Sequence, residues 1–264
     1  MECPYRYFDH GGLVSRIVAI SPHLDDAVFS AGGTLTRLAQ AGHDVLVLTV
    51  FTGSVAAPSG FALACQTDKG LAPDVDYMAL RRDEDDAALG RLGVRGAHLG
   101  LLEAPHRGYD SPAALFAGRH DGDDVAGAVG DAIRDHVGGA DLVLAPQAVG
   151  DHVDHQIVTA VVADLTDADR TAWWRDTPYA VRHPEARGAP EVGGTDVAVD
   201  VASVLEAKTE AAGAYATQVG FQFGGPEHVA PVLADLARRE GDGRPVEVFR
   251  AGGRARALIG TLGS

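Results

Sequence analysis

Two short polar runs carry the residues whose types and spacing suit hydrolytic chemistry. The first, SPHLDDAVFSAGG, sets His23, Asp25 and Asp26 between an apolar run and a glycine pair, and the second, PQAVGDHVDH, ends on His152, Asp154 and His155. A hydrolytic zinc needs three protein donors drawn from imidazole and carboxylate, with one position left open for water. His23, Asp26 and His155 make up such a set. His23 and Asp26 stand i, i+3 where the chain turns into a helix, so both side chains can face one point, while His155 arrives from the second run. Asp25 neighbours a ligand but is directed elsewhere along the turn, which leaves its carboxylate to take a proton from the attacking water. His152 is placed either to polarise a substrate carbonyl or to protonate a leaving amine, with Asp154 fixing its tautomer.

A plainer reading competes with this one. Aspartates are also what a helix start favours, eleven histidines make one stray H-x-x-D unsurprising, and HVDH reads equally well as a helix start. What favours the metal is conjunction: each cluster follows a run of strand character, and the two together complete one ligand count.

The surrounding elements decide whether the clusters meet. SRIVAIS (Ser15 to Ser21) reads as a buried strand, Phe29 to Gln40 as a helix stopping at Gly42, and DVLVLTVFTG from Asp44 as a second strand. Ser54 to Asp76 reads as a loop. A helix from Met78 follows, with Leu80, Ala87, Ala88 and Leu92 on its apolar side. AHLGLL and ADLVLAPQA are further strands, separated by a polar loop and a helix over Val125 to Val137. HQIVTAVVADL, from His155, is another helix, and strands are predicted around Tyr179 to Val181 and Thr195 to Val199. This alternation predicts an α/β fold, a doubly wound, mostly parallel sheet with helices on both faces. In such sheets ligands bind outside the carboxyl ends of the strands, which is where both clusters fall.

At 264 residues and 46% hydrophobic, the chain is long enough for one full core, so a single domain over 1–264 is expected. The formal charge of −15 argues against nucleic acid or an anionic membrane as partner. No segment approaches the ~20 apolar residues of a membrane span, and MECPYRYFDHGG lacks the apolar core of a signal peptide, so a cytoplasmic location is expected. Cys3 and Cys65 share no metal or redox spacing and read as ordinary thiols. RHDGDD (Arg119 to Asp124) lacks the alternating ligands of a calcium loop and reads as a solvated loop capping the Val125 helix. Trp173 and Trp174 suit either sugar stacking or a core, and GFQFGG (Gly220 to Gly225) has the glycines of a mobile flap. Nucleotide-binding loops and the G-x-S-x-G of serine hydrolases are missing from the sequence.

SPHLDDA and GDHVDH resemble the two signatures of the GlcNAc-phosphatidylinositol de-N-acetylase family, the PIG-L or LmbE-like proteins. RRDEDDAALGRLG is similar to the family's R-x-x-E helix, here Arg81, Glu84, Ala88 and Leu92-Gly93. LEAPHR and LEAKTEAAGAYATQ resemble its acidic substrate-binding segment and its late K-x-x-A-x-x-x-Y-x-S-Q helix. The resemblance spans roughly Ile17 to Gln218, with Leu24, Ala27 and Thr217 as departures from the usual residues. It implies a Rossmann-like zinc enzyme, one ion per chain, that deacetylates an N-acetylglucosamine-type substrate in thiol or natural-product biosynthesis. By the same resemblance His23, Asp26 and His155 are the ligands, Asp25 is the general base, and His152 is the acid or oxyanion partner oriented by Asp154. Glu103 is implied to contact sugar hydroxyls. Arg81 has two readings, contact with substrate or a pair with Glu84. An amidase for a larger acyl or thiol conjugate, and a catalytically silent accessory protein, are the alternatives. The expected partner is a small amino sugar, and a homo-oligomer is left open.

Overall fold

A computed structural model describes residues 14–263. Cys3 and the amino-terminal run lie outside them. In chain order the structure runs β1 (Arg16–Ser21), α1 (Asp26–Gln40), β2 (Asp44–Phe51), α2 (Gly60–Thr67), α3 (Tyr77–Leu92), β3 (Arg95–Leu101), α4 (Val125–Gly138), β4 (Leu142–Pro146), α5 (Val153–Leu165) and β5 (Thr171–Trp174). It continues through α6 (Tyr179–Arg182), β6 (Thr195–Asp200), α7 (Leu205–Ala212), α8 (Ala216–Phe223), α9 (Pro226–Glu240), β7 (Val246–Ala251) and α10 (Gly253–Gly260). The strands form one sheet in the order β3-β2-β1-β4-β5-β7-β6. Only β7 runs against its neighbours, pairing antiparallel with both β5 and β6. The sheet is therefore mostly parallel, as the alternation predicted.

Its two faces are covered by different helices. Because successive strand residues point to opposite sides, Ile17 and Ala19 join Phe29 and Leu35 of α1 and Leu89 of α3 in one core, whereas Val18 and Ile20 join Ile133 of α4 and Val158 of α5 in the other. Trp174 lies in the first core and Trp173 in the second, both buried. Neither is placed to stack on a sugar.

Several local expectations are corrected. Tyr179 to Arg182 is a short helix, and the strand preceding it is Thr171–Trp174. The Ser54 to Asp76 loop contains α2. GFQFGG closes α8 instead of forming a flap, since Phe223 is buried with its ring 5.0 Å from that of Phe29. Leu80 and Ala87 of α3 are exposed. Its inner face carries Arg81 and Asp85 with Met78, Ala88, Leu89 and Leu92, because both charges find partners there. Asp85 accepts from Tyr215 Oη at 2.6 Å and pairs with His98 Nε2 at 2.9 Å.

The late motif ties the helical layer together. Glu84 of α3 accepts from the main-chain N–H of Thr217 at 2.8 Å and from its hydroxyl at 2.7 Å, so threonine serves where the family has serine. Lys208 of α7 is buried and donates to Glu247 at 2.7 Å, and the same carboxylate accepts from the N–H groups of Gly33 and Thr34 in α1. A side chain at Gly33 would meet Val201 at 2.7 Å, so glycine there lets α1 approach.

Candidate metal-dependent active site

After β3 the chain crosses back to place β4 on the other side of β1, so the winding direction changes between these two strands. The crevice outside a switch point of this kind is where open α/β sheets bind ligands. His23 to Asp26 follow β1, His152 to His155 follow β4, and Asp176 follows β5, all on the same edge of the sheet. The loop into α5 is contorted, with positive φ at Ala148, Gly150 and Asp151, and it delivers His152 as the residue that caps α5.

Three donors converge here. Asp26 Oδ2 lies 3.2 Å from His23 Nδ1 and 3.2 Å from His155 Nε2. His155 Nε2 is buried and makes no hydrogen bond. Its other nitrogen, Nδ1, is 2.6 Å from Asp176 Oδ1, so in the neutral ring the hydrogen sits on Nδ1 and the Nε2 lone pair faces the cluster. His23 uses the mirror arrangement: Nε2 donates to Asp154 Oδ2 at 2.9 Å, which in the neutral ring leaves the Nδ1 lone pair facing Asp26. Spacings of this size match the roughly 3.3 Å ligand-to-ligand edge of a tetrahedral ion with bonds of about 2.0–2.1 Å. An orphaned buried nitrogen and two imidazoles each backed by a carboxylate are what a metal-ligating set requires.

Asp154 corrects an expectation. Its Oδ1 accepts from Arg107 Nη2 at 2.7 Å, and its Oδ2 accepts from His23 and from the N–H of Ala104 at 3.1 Å. With its oxygens taken, the carboxylate makes no hydrogen bond to His152. His152 is held by the main chain of Asp154, whose N–H donates to His152 Nδ1 at 3.2 Å. That bond places the hydrogen on Nε2 and makes His152 a neutral donor. Burial, aided by the nearby His23 charge, lowers its pKa to about 3. Of the two roles expected of His152, polarising a carbonyl fits this tautomer, whereas delivering a proton from an imidazolium does not.

Asp25 stands between the two ligands with φ 150° and ψ −33°, a conformation that non-glycine residues rarely adopt. Its N–H donates to the His23 carbonyl at 3.1 Å and its own carbonyl accepts from Phe29, while Ser21 Oγ links the His23 carbonyl to the N–H of Ala27. This turn separates the Asp25 carboxylate from the donor cluster. Burial and the charge of Asp26 raise the Asp25 pKa to about 8, with Arg81, 3.9 Å away, opposing them. Burial works against the charged form of Asp26 as well, but the His155 and His23 imidazoles hold it well below the carboxylate range. For His23, burial is outweighed by its bonds to Asp154 and Asp26, so the ring rises to about 9. His155 is raised too, by Asp26 and Asp176 against the same burial.

Arg81 pairs with Glu103 and donates to the Leu24 carbonyl at 3.2 Å, so the alternative pair with Glu84 is not formed. Glu103 thereby joins the site through Arg81. The sequence reading missed Asp176 and Arg107, the outer partners of His155 and Asp154. The signal for Asp176 was its place just after a strand end, hidden because the four-residue strand TAWW went unread. RHDGDD does serve the Val125 helix, through Asp123 Oδ1 at 3.3 Å from the Val125 N–H, but Asp123 is also buried against Arg107 and Tyr109.

The family model for PIG-L, the GlcNAc-PI de-N-acetylases, matches residues 18–166, more than half of the chain and both clusters. The chain belongs to this family. Among similar proteins, the 2'-N-acetylparomamine deacetylase of Streptomyces fradiae is 33% identical over 77% of this chain and 73% of its own length. The 1D-myo-inositol 2-acetamido-2-deoxy-alpha-D-glucopyranoside deacetylase of Rhodococcus jostii is 27% identical over 89% of this chain and 97% of its own. The crystal structure of the zinc-inhibited form of teicoplanin deacetylase Orf2 superposes with a TM-score of 0.76 at 32% identity, covering 89% of this chain and 97% of that one. As in the rest of this PIG-L member, the seven-stranded, mostly parallel sheet agrees with that likeness. No helix among the described residues is long and apolar enough to cross a membrane.

Proposed function

We propose that this PIG-L family member is a zinc-dependent N-deacetylase that hydrolyses the acetamide of an N-acetylglucosamine-type amino sugar to acetate and a free amine. The observation that carries the reading is the convergence of His23 Nδ1, Asp26 Oδ2 and His155 Nε2, with Asp154 and Asp176 fixing the two rings. Its support comes from relatives named as deacetylases of 2'-N-acetylparomamine and of an inositol-linked 2-acetamido sugar.

His23, Asp26 and His155 would hold one zinc ion per chain, which would supply Lewis-acid activation of water and of the amide carbonyl. The water oxygen bonds to the carbonyl carbon and the C–N bond breaks. Asp25, as the carboxylate, takes the water's proton and passes it to the nitrogen, and the burial that raises its pKa makes it the stronger base for that transfer. His152 donates its Nε2 hydrogen to the carbonyl oxygen as that oxygen gains charge. Glu103, anchored by Arg81 through Oε1, offers its second oxygen to a sugar hydroxyl.

The test is release of primary amine from N-acetylated amino sugars by protein stripped with a chelator and then reloaded with zinc. Activity should vanish on stripping and return by one equivalent of zinc. Full activity in the stripped protein, or no amine released from any such sugar by the one-zinc protein, overturns the reading.

A further inference from the structure

We propose that Phe116 and Tyr179 form an apolar subsite for the acyl half of the substrate, open enough to take hydrocarbon chains longer than acetyl. This rests on the deacetylase reading above and adds the class of acyl group. Phe116 ends a short 3-10 turn, Ala114–Phe116, in the loop between β3 and α4. It is 43% exposed, while Ala114 and Leu115 beside it pack toward the core. The Phe116 ring meets the His152 ring at 5.4 Å and 85°, and the Tyr179 ring at 6.0 Å and 71°. Tyr179 in turn stands 5.6 Å from His155 at 89°, and His155 lies 5.4 Å from His152. Four rings thus close a circuit of edge-to-face contacts, two of them from the site and two belonging to neither cluster. Tyr179 is fixed from behind: a Cβ on Gly150, whose φ is +92°, would fall 2.7 Å from its ring.

The rest of the site assigns this wall to the acyl group. The amide nitrogen must face the group that protonates it, Asp25, and on that side stand Arg81 and Glu103, suited to sugar hydroxyls. The carbonyl oxygen faces His152. The acyl carbon, the remaining substituent, then points away from Asp25, past the two histidines and along the rings that pack on them. Solvent exposure of Phe116 leaves that direction unblocked. A hydrocarbon chain laid on this wall loses water from its methylenes, which is worth about fourfold in affinity for each one buried.

The experiment compares kcat/KM for N-acetyl-, N-butyryl- and N-hexanoylglucosamine in the zinc-loaded wild type, Phe116→Ala and Phe221→Ala. Phe221 is an equally large exposed ring, 71% accessible, on α8. The wild type should take hexanoyl at least as well as acetyl. Phe116→Ala should lower the hexanoyl-to-acetyl ratio by about tenfold or more, and Phe221→Ala should leave the ratio unchanged. Calorimetric titration with acetate, butyrate and hexanoate reads the same subsite without turnover, with affinity rising along the series in wild type and flat in Phe116→Ala. A wild type that rejects the longer chains, or a ratio and carboxylate series insensitive to Phe116→Ala, overturns the subsite. If no N-acyl sugar is turned over, the deacetylase reading falls and the carboxylate series alone decides the subsite.

Discussion

At the scale of single residues, the two ligand imidazoles are held by one device used twice. Asp154 fixes His23 through Nε2 and Asp176 fixes His155 through Nδ1, so opposite ring nitrogens face the point where the three donors converge. Asp154→Asn and Asp176→Asn should each weaken zinc affinity by about 10- to 100-fold, measured by competition with a chelator, as expected for partners that orient a ligand. His152→Ala should keep the metal. With His23 raised to about 9, its ring holds a second proton at pH 7 in the metal-free protein, which a bound zinc would have to displace, and Asp26 and Asp176 shift His155 in the same direction. Calorimetry in buffers of different ionisation enthalpy should therefore find protons released on zinc binding at pH 7, and fewer above pH 9. Asp25 invites a different test, because its backbone is strained. Asp25→Gly should keep zinc and lose roughly 10² to 10⁴ in rate, yet melt no lower than wild type, since glycine relieves a conformation costing about 1–3 kcal/mol. The convergence of His23 and Asp26 was legible from spacing, since i, i+3 across a helix start has few geometries. The target of Asp154 was not, because sequence adjacency to His152 says nothing about where a carboxylate turns once Arg107 and Ala104 claim it.

At the scale of elements, α3 carries polar groups on the face a sequence reading expects to be apolar, and each has a dedicated partner. Arg81 reaches Glu103, Glu84 reaches Thr217 and Asp85 reaches Tyr215. The last two bonds dock α8 and the turn before it onto the helix that supplies Arg81, so the late motif acts on the site at one remove. Lys208 does the same for α1, through Glu247. Lys208→Met should cost roughly 3–5 kcal/mol in denaturant unfolding, because it leaves a buried carboxylate unpaired, while zinc content at saturation stays at one per chain. The strands β1, β2 and β4 were legible because they are long apolar runs buried on both faces. β5 was not: its four residues are too few to display a period. β7 hides for another reason, since VEVFRA alternates inward and outward with Glu247 on the inside, contrary to any hydrophobic pattern.

At the scale of the whole molecule, a formal charge of −15 surrounds a site whose product is an amine. A substrate already bearing ammonium groups should be drawn in by that field, so its kcat/KM should fall as salt rises from about 10 mM to 0.5 M, while that of an uncharged N-acetyl sugar should hardly change. Equal salt dependence for both would remove the steering argument. The switch between β1 and β4 has a consequence in time as well as in space. His23 and Asp154 are 131 residues apart, and the ligands on either side of the crevice come together only when β4 pairs with β1. A chain emerging from the ribosome holds half a site until His155 has been made and the central strands have met, so the proposed zinc site cannot form through the first half of its synthesis. Metal acquisition by the proposed site would then report on completed folding, and only the finished sheet would gain the added stability of a bound ion.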